Sequence, residues 1–152
     1  MGYSDADYAS DLDDRLSHTG YVFFLNNGSI SWSMRKQTTV AMSTMEAEYV
    51  ALSEASREAI ARSMFLEELN LDLETPHVVT DNQGALSIAS NPTDHNRAKH
   101  INVKYHFIRH AIEKEDITIA HVPGESQIAD IFTKALPIDL HHRFCSGLRL
   151  FS

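Results

Sequence analysis

Residues Gly20 to Met34 read Gly-Tyr-Val-Phe-Phe-Leu-Asn-Asn-Gly-Ser-Ile-Ser-Trp-Ser-Met, and this stretch decides the fold class. Gly20 to Leu25 is an apolar, aromatic run of strand length. Ile30 to Met34 alternates apolar residues with serine, as a half-buried strand does. Between them, Asn26-Asn27-Gly28 is turn chemistry, because Asn and Gly tolerate positive φ. Upstream, Gly2-Tyr3-Ser4-Asp5 reads as a short first strand running into an acidic loop through Asp11, Asp13 and Asp14. These pieces predict an antiparallel three-stranded meander.

Downstream the period changes. Ser43-Thr44-Met45-Glu46 is a capping box, with the serine capping a helix and the glutamate reaching back. A long helix is predicted from there to about Leu69. His77-Val78-Val79-Thr80 is a short strand, followed by a short helix from Asn82 to Ala89 that Pro92 breaks. A third helix is predicted from about Arg97 to Glu115, with Ile101, Tyr105, Ile108, Ala111 and Ile112 on one stripe. A strand from Asp116 to Val122, a helix from Ser126 to Ala135 ended by Pro137, and an amphipathic extension over about 137–152 complete the chain. The order β-β-β-α-β-α-α-β-α predicts an α/β fold. Its sheet is mixed, a meander plus later parallel strands, with helices on its faces.

No repeat, low-complexity tract or Pro/Gly-rich linker divides the 152 residues, so one domain over 1–152 is expected. With 43% hydrophobic and 22% charged residues the chain is of the globular class, not the disordered one. No window approaches the roughly 18 apolar residues of a membrane span, and no secretory signal is expected. The single cysteine, Cys145, excludes an internal disulfide and fits a reducing compartment. The net charge of −8 weighs against tight phosphate binding, which basic surfaces drive through counterion release. Cations held by acidic ligands offset part of that charge. Basic residues also gather locally at Arg97, Lys99, Lys104 and Arg109. Weak, salt-sensitive nucleic-acid binding is the expectation.

Acidic residues in short polar contexts run through the chain: Asp5 and Asp7, Glu46 and Glu48, Asp81, and Asp130. Carboxylates gathered from strand ends and helix starts can hold a pair of divalent cations that cleaves phosphodiesters. Asp5 and Asp7 share a strand face, so each competes with the other for such a role. Glu46 and Glu48 lie some 200° apart on a helix at roughly 100° per residue, so only one can face a given cleft. Glu46 is occupied by the capping box. Glu48 heads the stripe Leu52, Ala55, Ala59, where a buried carboxylate needs a partner such as a cation. Asp81, after a strand and before a helix, also suits a plain helix cap. Asp130, near the start of a helix, also suits the helix dipole. Carboxylates so clustered should repel one another and show raised, coupled pKa values without metal. Hard oxygen ligands select Mg²⁺ or Mn²⁺. Asn82 and Gln83, beside Asp81, are candidates for polar ligand contacts, since amides both donate and accept. His106 and His110 have metal-ligand spacing but no evident third ligand. His141-His142 is weaker still, and Cys145 has no evident base to make it a nucleophile.

Taken in order, several stretches resemble one family. They are Tyr3-Ser4-Asp5-Ala6-Asp7, Ser17 to Phe23, Ser31-Trp32, Ser43 to Ser53, Asp81-Asn82-Gln83, Lys99-His100-Ile101, Tyr105 to Arg109, and Gln127 to Lys134. Together they resemble the ribonuclease H domain of reverse transcriptases, most closely that of copia-type LTR retrotransposons. The resemblance implies a five-stranded mixed sheet flanked by helices and a metal-dependent endoribonuclease that hydrolyses the RNA strand of RNA–DNA hybrids. It implies two Mg²⁺ ions, with Mn²⁺ as substitute, held by the catalytic acids Asp5, Glu48, Asp81 and Asp130. Asp5 would bridge the ions, Glu48 and Asp81 would hold one, and Asp130 would complete the other. Asn82, Gln83, Lys99 and Arg109 would contact the hybrid. The partners implied are that hybrid and the polymerase domain of the same polyprotein, with no membrane. The location implied is a cytoplasmic retroelement particle, or the nucleus.

One departure stands out. Many members carry a histidine in the loop before the last aspartate, where it aids product release. Here that loop is Val122-Pro123-Gly124-Glu125-Ser126-Gln127, without histidine, and slow turnover is expected. Two rivals remain: another two-metal nuclease on the same fold, and a catalytically silent retroelement remnant kept as a nucleic-acid-binding module.

Overall fold

The computed structural model describes residues 1–71, 73–90 and 99–149, without the side chains of 99–102. Asn26 and Asn27 both take positive φ, 48° and 66°, as a two-residue hairpin turn requires. That turn joins β2 (His18–Leu25) to β3 (Gly28–Lys36) in an antiparallel pair. β1 (Gly2–Asp7) pairs antiparallel with β2 on one side and parallel with β4 (His77–Thr80) on the other. β5 (Thr118–His121), shorter than expected at both ends, pairs parallel with β4. The five strands lie in the order β3-β2-β1-β4-β5, the expected mixed sheet. Because β1 and β4 are central and parallel, Asp5 and the residue after Thr80 emerge at the same edge of the sheet.

One face is covered by helices. α1 (Thr44–Glu68) starts at the predicted capping box: the Glu46 N–H donates to Ser43 Oγ at 3.1 Å. The Glu46 carboxylate accepts from the Met42 N–H at 2.9 Å. Glu48, Leu52, Ala55 and Ala59 are all buried on its sheet-facing stripe. α2 (Gln83–Ser90) and α3 (Lys99–Glu113) pack beside it, with Tyr105, Ile108 and Ala111 of α3 in the core. Residues such as Leu52 and Ile108, fully enclosed, each contribute about 1.5–3 kcal/mol through burial. Arg97, Pro92 and the side chains of Lys99 and Ile101 lie outside the described residues.

The other face differs from expectation. Ser126 to Ala135 is not a helix. It forms two 3-10 turns, Gly124–Ser126 and Ile128–Phe132, closed by i→i−3 bonds such as Asp130 N–H to Gln127 O at 3.1 Å. The reason is proximity. A Cβ built on Gly20 of β2 would lie 3.2 Å from the Ala129 carbonyl and 2.6 Å from Thr133 Cγ2. This backbone rests directly on the sheet, closer than a helix about 10–12 Å across permits. Fully buried Gln127 pins it there by donating from Nε2 to the Ser4 carbonyl at 2.9 Å. α4 (Ile138–Leu148) then covers Val22 with Phe144 and Leu148.

β3 alternates as expected, but with its faces reversed. Ser31 points inward, donating to Glu58 Oε1 at 2.7 Å and accepting from the Arg62 guanidinium at 3.1 Å, while Ile30, Trp32 and Met34 are exposed. The polar side of this edge strand meets a polar stretch of α1. No described helix is long and apolar enough to cross a membrane.

Candidate active site

The cluster is built from the ends of the central strands. Asp5, in β1 and fully buried, projects toward the second 3-10 turn. Asp81 follows the last residue of β4, and Asp130 lies within the turn that rests on β2. Oxygens of Asp5, Asp81 and Asp130 all lie within 4.8 Å of one another. Among the described residues no other group of His, Cys, Asp or Glu is arranged to hold a metal ion. Glu48, on the first turns of α1, accepts a hydrogen bond from the Ala6 N–H and feels the charges of Asp5 and Asp81. Its Oε2 is buried without a hydrogen-bond partner. A buried carboxylate oxygen with no donor is costly, and a cation would satisfy it. All four carboxylates are hard oxygen donors, so the residues fit a divalent magnesium-type ion.

Electrostatics carry the same message. Burial, then Asp5 and Asp81, push Glu48 up to about 9, against Lys134 and the Ala6 N–H. Burial, then Asp5, push Asp130 up to about 7, again against Lys134. Burial and Asp5 also raise Asp81 above the ordinary carboxylate value. The raised values anticipated for clustered carboxylates are therefore present.

The competing roles separate cleanly. Asp81 does not cap α2. Asn82 does, its Oδ1 accepting the Ala85 N–H at 2.9 Å while its own N–H donates to Thr80 Oγ1 at 3.2 Å. Asp7 shares the face of Asp5 but stands outside the group of three aspartates. Gln83, two residues after Asp81, is exposed. Arg109 lies with His106, His110 and Glu113 along a shallow depression on α3, and none of these joins the acids. The side chain of Lys99 lies outside the described residues.

Three residues escaped the sequence reading. Lys134 Nζ donates to Asp5 Oδ1 at 2.9 Å and to Asp130 Oδ1 at 3.0 Å. Burial works against its charge, yet Asp5 and Asp130 hold it above the ordinary lysine range. Thr133 Oγ1 donates to Asp5 Oδ2, and Gln127 anchors the whole turn. The sequence signal for Lys134 is its spacing, four residues after Asp130. The loop without histidine does lie at the cluster: a Cβ on Gly124 would stand 3.4 Å from Asp81 Oδ2. A histidine is nonetheless close, because His121 at the end of β5 donates from Nε2 to the Asp81 carbonyl at 3.1 Å. Cys145 also has a nearer base than expected, with Sγ 3.6 Å from His141 Nδ1 on α4, where the cysteine is exposed.

No protein-family model matches the chain. It is 42% identical over 136 residues to the retrovirus-related Pol polyprotein from transposon TNT 1-94 of Nicotiana tabacum, covering 90% of this chain and 10% of that one. It is 41% identical over 147 residues to the Pol polyprotein from transposon RE1 of Arabidopsis thaliana, covering 96% and 10%. The chain thus spans about a tenth of the length of these curated relatives. Among solved structures, LC11-RNase H1 in complex with an RNA/DNA hybrid superposes with a TM-score of 0.63 at 19% identity, covering 87% of this chain and 91% of that one. The chain therefore has a ribonuclease H-like fold, and its sequence is similar to one segment of the Pol polyproteins of plant copia-type transposons.

Proposed function

We propose that this domain is a metal-dependent endoribonuclease that hydrolyses the RNA strand of RNA–DNA hybrids, as the ribonuclease H part of a retrotransposon reverse transcriptase. The observation that carries the reading is the convergence of Asp5, Asp81 and Asp130 beside the unpartnered Oε2 of Glu48. Asp5, Glu48, Asp81 and Asp130 would hold two Mg²⁺ ions, which when bound supply an activated water and stabilise the departing 3′ oxygen. The chain's own contribution is preorganisation. Asp5 is fully enclosed and fixed at both oxygens, by Thr133 and by Lys134. The 3-10 turn that carries Asp130 is held on the sheet by Gln127. With Asn82 Oδ1 committed to the α2 cap, the Asn82 amide nitrogen and exposed Gln83 remain for 2′-hydroxyl contacts. The hybrid, the polymerase of the same polyprotein and a cytoplasmic or nuclear site of action belong to this proposal.

The test is cleavage of an end-labelled RNA–DNA hybrid with Mg²⁺, Mn²⁺ or EDTA, by wild type and Asp81→Asn. Metal-dependent cutting of the RNA strand alone, lost in the variant, is expected. Metal-induced thermal stabilisation without cutting, at low salt and with Mn²⁺, would instead indicate a binding module.

A further inference from the structure

Lys134 occupies a place where a cation belongs. Its Nζ sits 2.9 Å from Asp5 Oδ1 and 3.0 Å from Asp130 Oδ1, bridging two members of the acidic cluster. The other oxygen of Asp5 accepts from Thr133 Oγ1, so each Asp5 oxygen already has one donor from this chain. A Mg²⁺ ion would need oxygens at about 2.0–2.1 Å. An ion bound to the same two oxygens would lie close to the ammonium, which is 2.9 Å and 3.0 Å from them. Two positive charges at that spacing would also repel. We infer that Lys134 is a built-in competitor for metal, an exchangeable ammonium that neutralises the metal-free cluster and must swing away when an ion binds between Asp5 and Asp130. The inference rests on the proposed metal site and concerns how that site is loaded.

The surroundings allow the exchange. The Lys134 side chain is 33% exposed, whereas those of Asp5 and Asp130 are 0% and 12% exposed. The carboxylates are fixed and the lysine faces the opening. A four-carbon stem with rotatable bonds lets the ammonium leave while the backbone stays in place. Lys134 thus acts on metal loading through its contacts to Asp5 and Asp130. Its charge sets a threshold on metal affinity.

The experiment is direct binding of Mn²⁺, followed by calorimetry and electron paramagnetic resonance, to wild type, Lys134→Met and Lys134→Arg, with melting temperatures in EDTA. Lys134→Met is expected to bind Mn²⁺ on the order of tenfold more tightly, since a competing charge is gone. It is also expected to melt lower in EDTA, with Lys134→Arg close to wild type in both. A purely structural lysine would lower the melting temperature without tightening metal binding. Should Lys134→Met fail to fold, Lys134→Gln removes the charge while keeping a donor. Unchanged or weaker Mn²⁺ binding in the neutral variants overturns the inference. Hybrid cleavage measured in parallel separates the two readings. Cleavage by wild type with unaltered affinity in the variants sinks the competitor alone. Tightened binding without any cleavage sinks the nuclease alone.

Discussion

Replacing Glu48 by glutamine should stabilise the metal-free protein while abolishing the proposed hybrid cleavage. Glu48 is pushed from an ordinary 4.5 up to about 9 by burial and by Asp5 and Asp81. Between those two values the folded protein keeps the Glu48 proton and the unfolded chain has lost it. Stability is therefore lost steadily as pH rises through that window. Each pH unit corresponds to about 1.4 kcal/mol, so the penalty is on the order of 2 kcal/mol at pH 6 and 5 kcal/mol at pH 8. Glutamine has the shape of the protonated acid, still accepts from the Ala6 N–H, and carries no such penalty. For a chain of this size, a gain of about 5 kcal/mol at pH 8 raises the melting temperature by roughly 10–20 °C. Calorimetry of wild type and Glu48→Gln in EDTA at pH 5, 6.5 and 8 measures it, with the gain growing as pH rises. The reasoning is refuted if Glu48→Gln melts at or below wild type at pH 8, or if its gain is the same at every pH. Saturating Mg²⁺ should reverse the order, since wild type regains stability by binding an ion that the variant holds less well.

Other expectations test the rest of the site. Asp5→Asn should reduce hybrid cleavage at least a hundredfold and Asp7→Asn by less than tenfold, on the order expected when a metal ligand rather than a neighbour is lost. Equal activity of Asp5→Asn and wild type would remove Asp5 from the mechanism. Gly20→Ala should cost about 1–3 kcal/mol, because its Cβ would press on Thr133 and the Ala129 carbonyl. It should also lower activity by displacing Asp130, and crystallography of the variant would show the turn lifted from β2. Asn82→Ala should cost about 1 kcal/mol in denaturant unfolding, through loss of the α2 cap. Asp130, raised to about 7 by burial and Asp5, makes metal-free wild type lose stability as pH climbs from its ordinary value of 3.8 to about 7, and Asp130→Asn should flatten that part of the melting profile.

The strand–turn–strand at Gly20 to Met34, the capping box at Ser43 and the stripe headed by Glu48 were legible in the sequence, because each is a local pattern of period or turn chemistry. So was the opposite placement of Glu46 and Glu48, since helical geometry alone separates them by more than half a turn. Other decisions needed the assembled fold. Whether Ile30, Trp32 and Met34 or the serines between them face α1 depends on which side of an edge strand meets Glu58 and Arg62. Period two cannot tell one face from the other. Ser126 to Ala135 carries a helix-like pattern, yet contact with Gly20 and the hold of Gln127 on Ser4 leave room only for 3-10 turns. Lys134 is the plainest case. Its four-residue spacing from Asp130 was visible, but its second partner, Asp5, lies 129 positions away in the chain. Local pattern thus names the candidate carboxylates and the elements that carry Asp5, Glu48 and Asp81, though not the turn that carries Asp130. Only the tertiary structure decided that a lysine stands among them, because a charge that bridges two distant segments belongs to the packing and not to any local pattern.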